Sequence, residues 1–214
     1  MDFTEEREEL ASFMRRLYER RLTTSTGGNA SLRLDGGRML ITQSGMDKGA
    51  TRPGDLVVMR IGGGPPGGDS KPSMESGLHA AVYMKRPDVR SVMHAHPVFA
   101  TAFCSTGGRI RFDLTAESRA VLGEPAFVPY AMMGSPALAE AVSDAMLGAD
   151  TVLMGNHGVV AAGGSPAEAF NRIELVEDAA KITFMVGFSG GGRTLTGDEL
   201  NLIDALFGKN RPAR

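Results

Sequence analysis

The sequence predicts an α/β protein in which a mainly antiparallel central sheet is layered between helices, an α/β/α arrangement. Short β-like runs between residues 30 and 61, separated by Asp-Gly-Gly and Arg-Pro-Gly turns, predict an antiparallel meander. Further along, short apolar runs alternate with segments of helical spacing, as in layered α/β domains. A length of 214 residues without a linker-like break favours a single domain, 1–214.

The chain is predicted to open with a helix over residues 4–20, where Leu10 and Leu17 belong to an apolar stripe of helical spacing. Thr4 is the expected N-cap of this helix, ahead of an acidic first turn. The three strands of the meander are expected at residues 30–34, 39–42 and 55–61. The Gly- and Pro-rich segment that follows has too little apolar content to pack, so a mobile hairpin tip is expected near residues 62–70.

The second half of the chain is predicted to alternate helices with strands. Helices are expected at residues 76–85, 98–104, 136–146 and 166–186, and strands at 92–96, 151–154 and 159–162. Beyond about residue 187, a Gly-rich stretch leads into a last amphipathic segment at 200–207. We interpret this part as a C-terminal tail that packs on a neighbouring subunit or lies on the surface.

Composition and charge argue against several classes of function. A formal charge of −2 with no long basic run disfavours nucleic acid or an anionic membrane as the main partner. Cys104 is the single cysteine and lies in an apolar segment, so we expect it in the core and expect no disulfide framework. The N-terminus has no basic, apolar leader, and no apolar run approaches the ~20 residues that span a bilayer. We therefore expect a soluble, cytoplasmic protein.

Three of the four histidines predict a metal site. His94 and His96 lie two residues apart in a predicted strand, so both imidazoles project from one face. His157 lies in a Gly-Asn-His-Gly segment, which suits a turn that directs its imidazole inward. Three imidazoles with an open coordination position are typical of a catalytic metal ion. The alternative for each histidine taken singly is a half-buried, hydrogen-bonded ring.

Glu75 and two polar segments are further candidates. Glu75 precedes a predicted helix, and taken alone it is explained by the helix dipole. Beside a divalent ion, a carboxylate can instead ligate the resting metal and later exchange a proton with a carbon next to a carbonyl. Residues 26–31 and 42–47 combine small residues with short polar side chains and suit a phosphate, although each alone is also explained as an ordinary turn.

Five motifs, in order, resemble the class II aldolase/adducin family, and most closely its L-fuculose-1-phosphate aldolase branch. They are Gly28-Asn29-Ala30-Ser31, Thr42-Gln43-Ser44-Gly45, Pro72-Ser73-Met74-Glu75, His94-Ala95-His96-Pro97 and Asn156-His157-Gly158, within about residues 5–185. The resemblance implies zinc ligands at His94, His96 and His157, with Glu75 as an acid/base that also ligates the ion before substrate binds. It further implies contacts with a substrate phosphate, at Gly28, Asn29, Ser44, Gly45 and Ser73.

The resemblance implies a metal-dependent aldolase that cleaves a ketose 1-phosphate of the L-fuculose 1-phosphate type to dihydroxyacetone phosphate and an aldehyde. One Zn²⁺ per subunit would stabilise the enediolate, with Mn²⁺ or Co²⁺ as alternatives. The family also implies a homotetramer. Because no Schiff base is needed, we interpret the lysines as surface or anion-steering groups, namely Lys48, Lys71, Lys85 and Lys181.

Two departures from the branch's pattern leave the substrate open. Met74 stands where the branch has a second serine, and residues 112–116 lack its aldehyde-end tyrosine. A more apolar pocket favours 5-deoxyribulose or 5-methylthioribulose 1-phosphate of a salvage pathway. We interpret Tyr130 as a core tyrosine with a bonded hydroxyl, and His79, four residues after Glu75, as a structural support of the site.

Three other activities remain open. A sugar-phosphate 4-epimerase of the family resembles a pattern with Asp at position 75, so Glu75 favours net cleavage. A methylthioribulose-phosphate dehydratase shares the metal and the fold. A non-catalytic, adducin-like interaction module would have lost its metal ligands, which are present here. We interpret Asp113, Glu117 and Arg119 as ordinary surface charges.

Overall fold

The computed structural model of the chain describes residues 3–63 and 71–207. Its helices are α1 (Thr4–Glu19), α2 (Ser76–Lys85), α3 (Val98–Thr106), α4 (Ala116–Leu122), α5 (Pro136–Ala145), α6 (Pro166–Phe188) and α7 (Gly197–Leu206). Its strands are β1 (Asn29–Leu34), β2 (Arg38–Thr42), β3 (Leu56–Arg60), β4 (Ser91–Ala95), β5 (Ala126–Val128), β6 (Thr151–Met154) and β7 (Gly158–Gly163). Within these ranges, no helix combines the length and the apolar character that crossing a membrane requires.

The seven described strands form one sheet in the order β3-β2-β1-β4-β7-β6-β5. Neighbouring strands are antiparallel except β5 and β6, which run parallel. The first three strands are the predicted meander, and the tight β1–β2 turn uses left-handed backbone at Gly36 and Gly37, with φ of 70° and 69°. The predicted α/β class with a mainly antiparallel sheet is confirmed.

Helices cover both faces of the sheet, and each face has its own apolar core. On one face, Leu10 of α1 and Phe170 of α6 are buried in the same cluster as Met93 of β4. On the other face, Val82 of α2 is buried in a cluster with Val92 of β4. Val92 and Met93 are consecutive, so they enter opposite cores because strand side chains alternate. Strand β4 is therefore buried on both sides at the centre of the sheet.

The observed elements differ from the prediction in three places. Helix α4 and strand β5 are not predicted, because at seven and three residues they are too short to show a clear period. Thr4 is not the N-cap of α1, since Phe3 occupies that position with left-handed backbone and no side-chain cap. Strand β4 ends at Ala95, so His96 lies just beyond the strand.

The C-terminal helix is held by an ion pair, and the interpretation of Arg119 as an ordinary surface charge is wrong. The Arg119 guanidinium donates to Asp204 of α7 at 2.8 and 2.5 Å, and the two side chains are only 15% and 12% exposed. The predicted C-terminal tail therefore includes a helix that is docked on α4. The predicted hairpin tip lies, apart from residues 62 and 63, outside the described residues. A single domain over the whole chain stays a prediction.

Candidate metal centre and anion pocket

Strand β4 brings two of the three histidines to one end of the sheet. It lies between β1 and β7, where His94 pairs across the strands with Asn29 and Val160. His96 follows two residues later, and its backbone N–H donates to the Leu22 carbonyl at 3.0 Å. The His94 and His96 rings meet edge to face with centroids 4.5 Å apart, so the two-residue spacing does bring them together.

The turn between β6 and β7 carries the third histidine. This turn comprises only residues 155–157, because the residues on either side of it are already paired. Asn156 adopts left-handed backbone with φ of 53°, a conformation that asparagine tolerates better than most residues. The turn places the His157 ring 4.7 Å from the His94 ring, centroid to centroid. Two separate connections of the sheet thus meet at one cluster.

The three imidazoles have the arrangement that a metal ion requires. One ring nitrogen of each histidine lies within 4.8 Å of those of the other two. His94 Nδ1 is 3.0 Å from the Val159 carbonyl oxygen and therefore carries the ring proton. The lone pair of His94 is then on Nε2, a buried atom without a hydrogen-bond partner among the described residues. Such an orphaned lone pair fits a metal ligand.

Glu75 adds a carboxylate to this cluster. Its Oε2 is 3.2 Å from His94 Nε2, and its Oε1 is 3.4 Å from His157 Nε2. In the described part of the chain, Oε1 is also buried without a hydrogen-bond partner. A carboxylate and an imidazole lone pair repel each other unless a cation lies between them, so the donor set fits a divalent ion. Glu75 is the N-cap residue of α2, but its side chain makes no capping hydrogen bond, so the helix-dipole alternative does not account for its position.

Burial keeps His94 and His96 uncharged. Desolvation is the main reason that the pKa of His94 falls to about 3, and the neighbouring His157 lowers it further. Desolvation likewise lowers the pKa of His96 to about 3, with smaller contributions from His94 and His157. Neutral imidazole is the form that ligates metal ions.

A cavity of ≈ 330 Å³ opens beside the histidine cluster. His96, His157 and Glu75 line it on the side of the cluster. The five predicted phosphate contacts also line it, namely Gly28, Asn29, Ser44, Gly45 and Ser73. The structure therefore brings every predicted site residue to one place, except that His94 lies fully buried behind the cavity. That the five residues contact a phosphate stays a prediction.

Lys48 lines the same cavity, so the surface alternative is wrong for this lysine, whereas the alternative of an anion-steering group stays a prediction. It is only 2% exposed, and its ammonium donates to the Gln43 carbonyl at 3.1 Å. Burial lowers the pKa of Lys48 to about 8. Among the described residues that line the cavity, it is the only lysine or arginine. In the sequence, Lys48 follows the predicted phosphate contact Ser44 by only four residues, and this closeness could have marked it as a residue of the site. Spacing alone does not reveal that its side chain is buried.

Four further side chains lie near the site: His79 is buried, whereas Tyr130, Met74 and Met133 are exposed. His79 is fully buried behind the cavity with its Nε2 2.5 Å from the Asn29 side-chain oxygen, in keeping with the predicted supporting position. Tyr130 is 60% exposed, and its hydroxyl approaches only a methionine sulfur at 4.0 Å within the described structure, so its interpretation as a core tyrosine is wrong. Met74 and Met133 line the cavity while being 68% and 54% exposed.

Known proteins resemble this chain over most of its length. Residues 8–184 match the family described as Class II Aldolase and Adducin N-terminal domain. A 5-deoxy-D-ribulose 1-phosphate aldolase of Bacillus thuringiensis serovar kurstaki is 31% identical, over 94% of this chain and 95% of that protein. An L-fuculose phosphate aldolase of Methanococcus maripaludis is 31% identical, over 87% of this chain and 98% of that protein.

Two further comparisons extend the range of activities. A 3-oxo-tetronate 4-phosphate decarboxylase of Haemophilus influenzae is 32% identical, over 84% of this chain and 87% of that protein. The solved structure of an L-fuculose 1-phosphate aldolase superposes with a TM-score of 0.83 at 33% identity, over 94% of both chains. The layered fold is therefore shared with proteins that carry more than one activity.

Acidification is expected to destabilise the metal-free protein. His79, His94 and His96 have lowered pKa values in the fold, so the stability they contribute is present above about pH 6.5 and is lost as the pH falls towards 3. Each group contributes up to about 1 kcal/mol per pH unit in that window. Urea unfolding of chelator-treated protein at matched ionic strength measures this slope. A free energy of unfolding that stays constant between about pH 6.5 and pH 4.5 would contradict it.

Gly158→Ala is expected to weaken metal binding. A Cβ at this position would lie 2.5 Å from the Ala95 carbonyl oxygen and 2.8 Å from His96 Cδ2, so β4 or the ring has to shift. We expect the affinity for Zn²⁺ to fall by at least about tenfold, as for other changes that misplace metal ligands. Titration calorimetry measures the change. Gly187→Ala in α6, where a Cβ meets nothing within 4 Å, is the matched control, and equal affinities of the two variants would refute the expectation.

Proposed function

The chain belongs to the class II aldolase and adducin family and is a metal-dependent lyase of the aldolase type, and we propose that its substrate is a ketose 1-phosphate. Cleavage of an L-fuculose 1-phosphate type of sugar would give dihydroxyacetone phosphate and an aldehyde. One observation carries this proposal. His94 Nε2 and Glu75 Oε2 face each other at 3.2 Å beside a cavity that contains the five predicted phosphate contacts and a buried lysine.

His94, His96 and His157 would hold the metal ion, with Glu75 as a further ligand until substrate arrives. We propose one Zn²⁺ per subunit, with Mn²⁺ or Co²⁺ as substitutes, because imidazole nitrogen suits all three ions. When bound, such an ion supplies a Lewis acid for the negative charge that develops on the substrate oxygens as the C3–C4 bond breaks.

Glu75 would move the proton. Its Oε2 accepts a hydrogen bond from the Asn29 side-chain amide at 2.8 Å, which leaves Oε1 as the oxygen without a partner among the described residues. When C3–C4 breaks, the electron pair stays on C3 and is delocalised into the C2 carbonyl as an enediolate. The C4 hydroxyl would lose its proton to water as the aldehyde forms, and the Glu75 carboxylate would take up one proton from water and deliver it to C3, so that the two transfers balance. In the condensing direction the Glu75 carboxylate removes the C3 proton.

The phosphate would bind to the turn residues of the cavity. Ser44 and Ser73 offer hydroxyl groups, and Lys48 offers an ammonium whose burial reduces screening by water. Gly28 and Gly45 both have left-handed backbone, with φ of 66° and 72°, as is common in turns that bind anions. A phosphate fixed there would hold the ketose in one orientation relative to Glu75, which raises the rate of proton transfer.

A 5-deoxyribulose 1-phosphate is a second candidate substrate, and Met74 and Met133 favour it. Both thioether side chains line the cavity, where they would surround a methyl group better than a hydroxyl group. The same argument applies to 5-methylthioribulose 1-phosphate. The 31% identity to a 5-deoxy-D-ribulose 1-phosphate aldolase over 94% of this chain supports this candidate.

Three other activities would use the same metal ion, and some of them would begin with the cleavage of a carbon–carbon bond as in the proposed reaction. A 3-oxo-tetronate 4-phosphate, the substrate in the name of the Haemophilus relative, loses carbon dioxide instead of an aldehyde and leaves the same enediolate. An epimerase would rejoin the aldehyde to the enediolate, and a dehydratase would eliminate water. A non-catalytic, adducin-like module is disfavoured by the convergence of His94, His96, His157 and Glu75.

We also propose a cytoplasmic homotetramer that has no nucleic acid or membrane partner. Six apolar side chains among the described residues near the C-terminus are more than half exposed, namely Phe184, Met185, Phe188, Leu202, Leu206 and Phe207. A further copy of the chain would remove this surface from water.

Product analysis tests the proposed reaction. The metal-loaded protein is incubated with L-fuculose, 5-deoxyribulose or 5-methylthioribulose 1-phosphate, and with 3-oxo-tetronate 4-phosphate. We expect dihydroxyacetone phosphate together with an aldehyde from at least one ketose 1-phosphate, and loss of this activity with a chelator. Glu75→Gln should retain metal but lose at least about 10²-fold in turnover, because it removes the acid/base.

Glu117→Gln on α4 is the matched control, since Glu117 is exposed and is not among the residues that line the cavity. Release of carbon dioxide without any aldehyde would show that the protein is a decarboxylase and would contradict the proposed aldol cleavage. Absence of dihydroxyacetone phosphate from all four compounds would reject the proposal.

Lys48→Met is expected to raise the KM for the phosphorylated substrate. The substitution keeps most of the buried volume but removes the charge that would face the phosphate, so KM should rise at least about tenfold while kcat changes less. The inhibition constant of inorganic phosphate should rise in parallel. Lys181→Met, at a half-buried lysine of α6 that is outside the cavity lining, is the control. An unchanged KM and an unchanged phosphate inhibition constant would exclude a phosphate contact by Lys48.

A further inference from the structure

We propose that His79 is a positioning residue that aims the NH₂ group of the Asn29 side chain at Glu75, through a hydrogen-bond chain with one fixed direction that begins at Tyr83. The kinetic part of this inference rests on the proposed function. Its structural part, the protonation pattern of the chain, stands independently.

Four contacts link Tyr83 to Glu75 behind the cavity. The Tyr83 hydroxyl is 2.8 Å from Ser31 Oγ, which is 2.6 Å from His79 Nδ1. His79 Nε2 is 2.5 Å from Asn29 Oδ1, and Asn29 Nδ2 is 2.8 Å from Glu75 Oε2. None of these five residues is more than 8% exposed. Bulk water is therefore excluded, and the groups have to satisfy one another.

The direction of the chain follows from the end that is fixed. An ionised Glu75 carboxylate only accepts hydrogen bonds, so the Asn29 NH₂ group donates to it and the Asn29 oxygen faces His79. An amide oxygen needs a donor, so the ring proton of His79 is on Nε2. The bare Nδ1 then accepts from the Ser31 hydroxyl.

Ser31 in turn accepts from the Tyr83 hydroxyl, whose contact with the Arg90 carbonyl is longer at 3.3 Å. Each donor along the chain therefore points towards Glu75. Hydrogen bonds aligned in this way polarise one another, and the carboxylate at the end receives the combined effect.

Because an uncharged His79 ring carries only one proton, the nitrogen that holds this proton determines which way the Asn29 amide faces. The His79 ring is fully buried, where an uncharged ring with a single proton is favoured over a charged one. In the other tautomer, the Nε2 lone pair would face the Asn29 oxygen. The amide would then have to turn over, which would set its oxygen against Glu75. Ser31, as the donor to Nδ1, is the residue that selects the productive tautomer.

The orientation of Asn29 determines which Glu75 oxygen is free to react. With the amide on Oε2, Oε1 is left beside His157 and without a hydrogen-bond partner in the described structure. His79 itself is not among the residues that line the cavity, so it acts on the reaction through Asn29. Breaking the chain should therefore affect proton transfer more than the binding of metal or substrate.

Ser31→Ala and Ser143→Ala form a matched pair of variants. Each removes one hydroxyl from a fully buried serine, but Ser143 lies in α5 and its hydroxyl donates to the Glu140 carbonyl. In Zn²⁺-loaded protein labelled with ¹⁵N-histidine, the wild-type ring of His79 should show a protonated Nε2 and a bare Nδ1. Ser31→Ala should give a mixture of tautomers, and Ser143→Ala should match the wild type.

The kinetic readout separates positioning from a general loss of stability. Ser31→Ala should lower kcat about tenfold, the effect expected from the loss of one buried hydrogen bond, with KM and metal content near the wild-type values. His79→Gln, which retains a donor towards Asn29, should recover more kcat than His79→Leu. His79→Leu should also shift the resonance of the Asn29 side-chain amide protons.

Three results would overturn the inference: a wild-type His79 protonated on Nδ1, a Ser31→Ala enzyme with full kcat, or an Asn29 amide resonance that does not move in His79→Leu. If no ketose 1-phosphate is cleaved even by the wild type, the proposed function fails on its own. The tautomer of His79 in the wild type and in Ser31→Ala still tests the inference in that case, and it does so without requiring His79→Leu to fold.

Discussion

Glu75 and His94 bring two hydrogen-bond acceptors to within 3.2 Å of each other, with His94 fully buried and Glu75 only 8% exposed. Without a cation this contact is repulsive, because the His94 proton is committed to the Val159 carbonyl. Each partner is nevertheless held firmly, His94 by the central strand and Glu75 by the Asn29 amide. The fold therefore holds two mutually repelling groups close together, and a divalent ion between them would remove the repulsion. Metal binding would in this way stabilise the site.

The ligands and the proposed substrate contacts come from different kinds of structure. His94 lies in a strand that is buried on both faces, and His157 lies in a turn of only three residues. Ser44 and Ser73 lie in connections between strands and helices. A rigid centre with a more adaptable periphery suits a lyase, since the metal geometry has to be constant while substrates vary.

Local patterns made much of the fold and of the metal site predictable from the sequence. The pair His94 and His96 follows from the two-residue period of a strand, which needs no knowledge of distant partners. The burial of Lys48 was not predicted, because it depends on packing that composition does not reveal. Arg119 was misjudged because its partner, Asp204, is 85 residues away. The direction of the chain through His79 was likewise not predictable, since it arises only when β1 and α2 pack together.

Met74 and Met133 line the cavity but keep more than half of their surface in water, so the core depends little on them. Replacing either one would reshape the surroundings of the departing fragment without disturbing the strands that carry the histidines. Residues placed at the rim in this way can change while the strands that carry the histidines stay the same, which is in keeping with a family whose named members include both an aldolase and a decarboxylase.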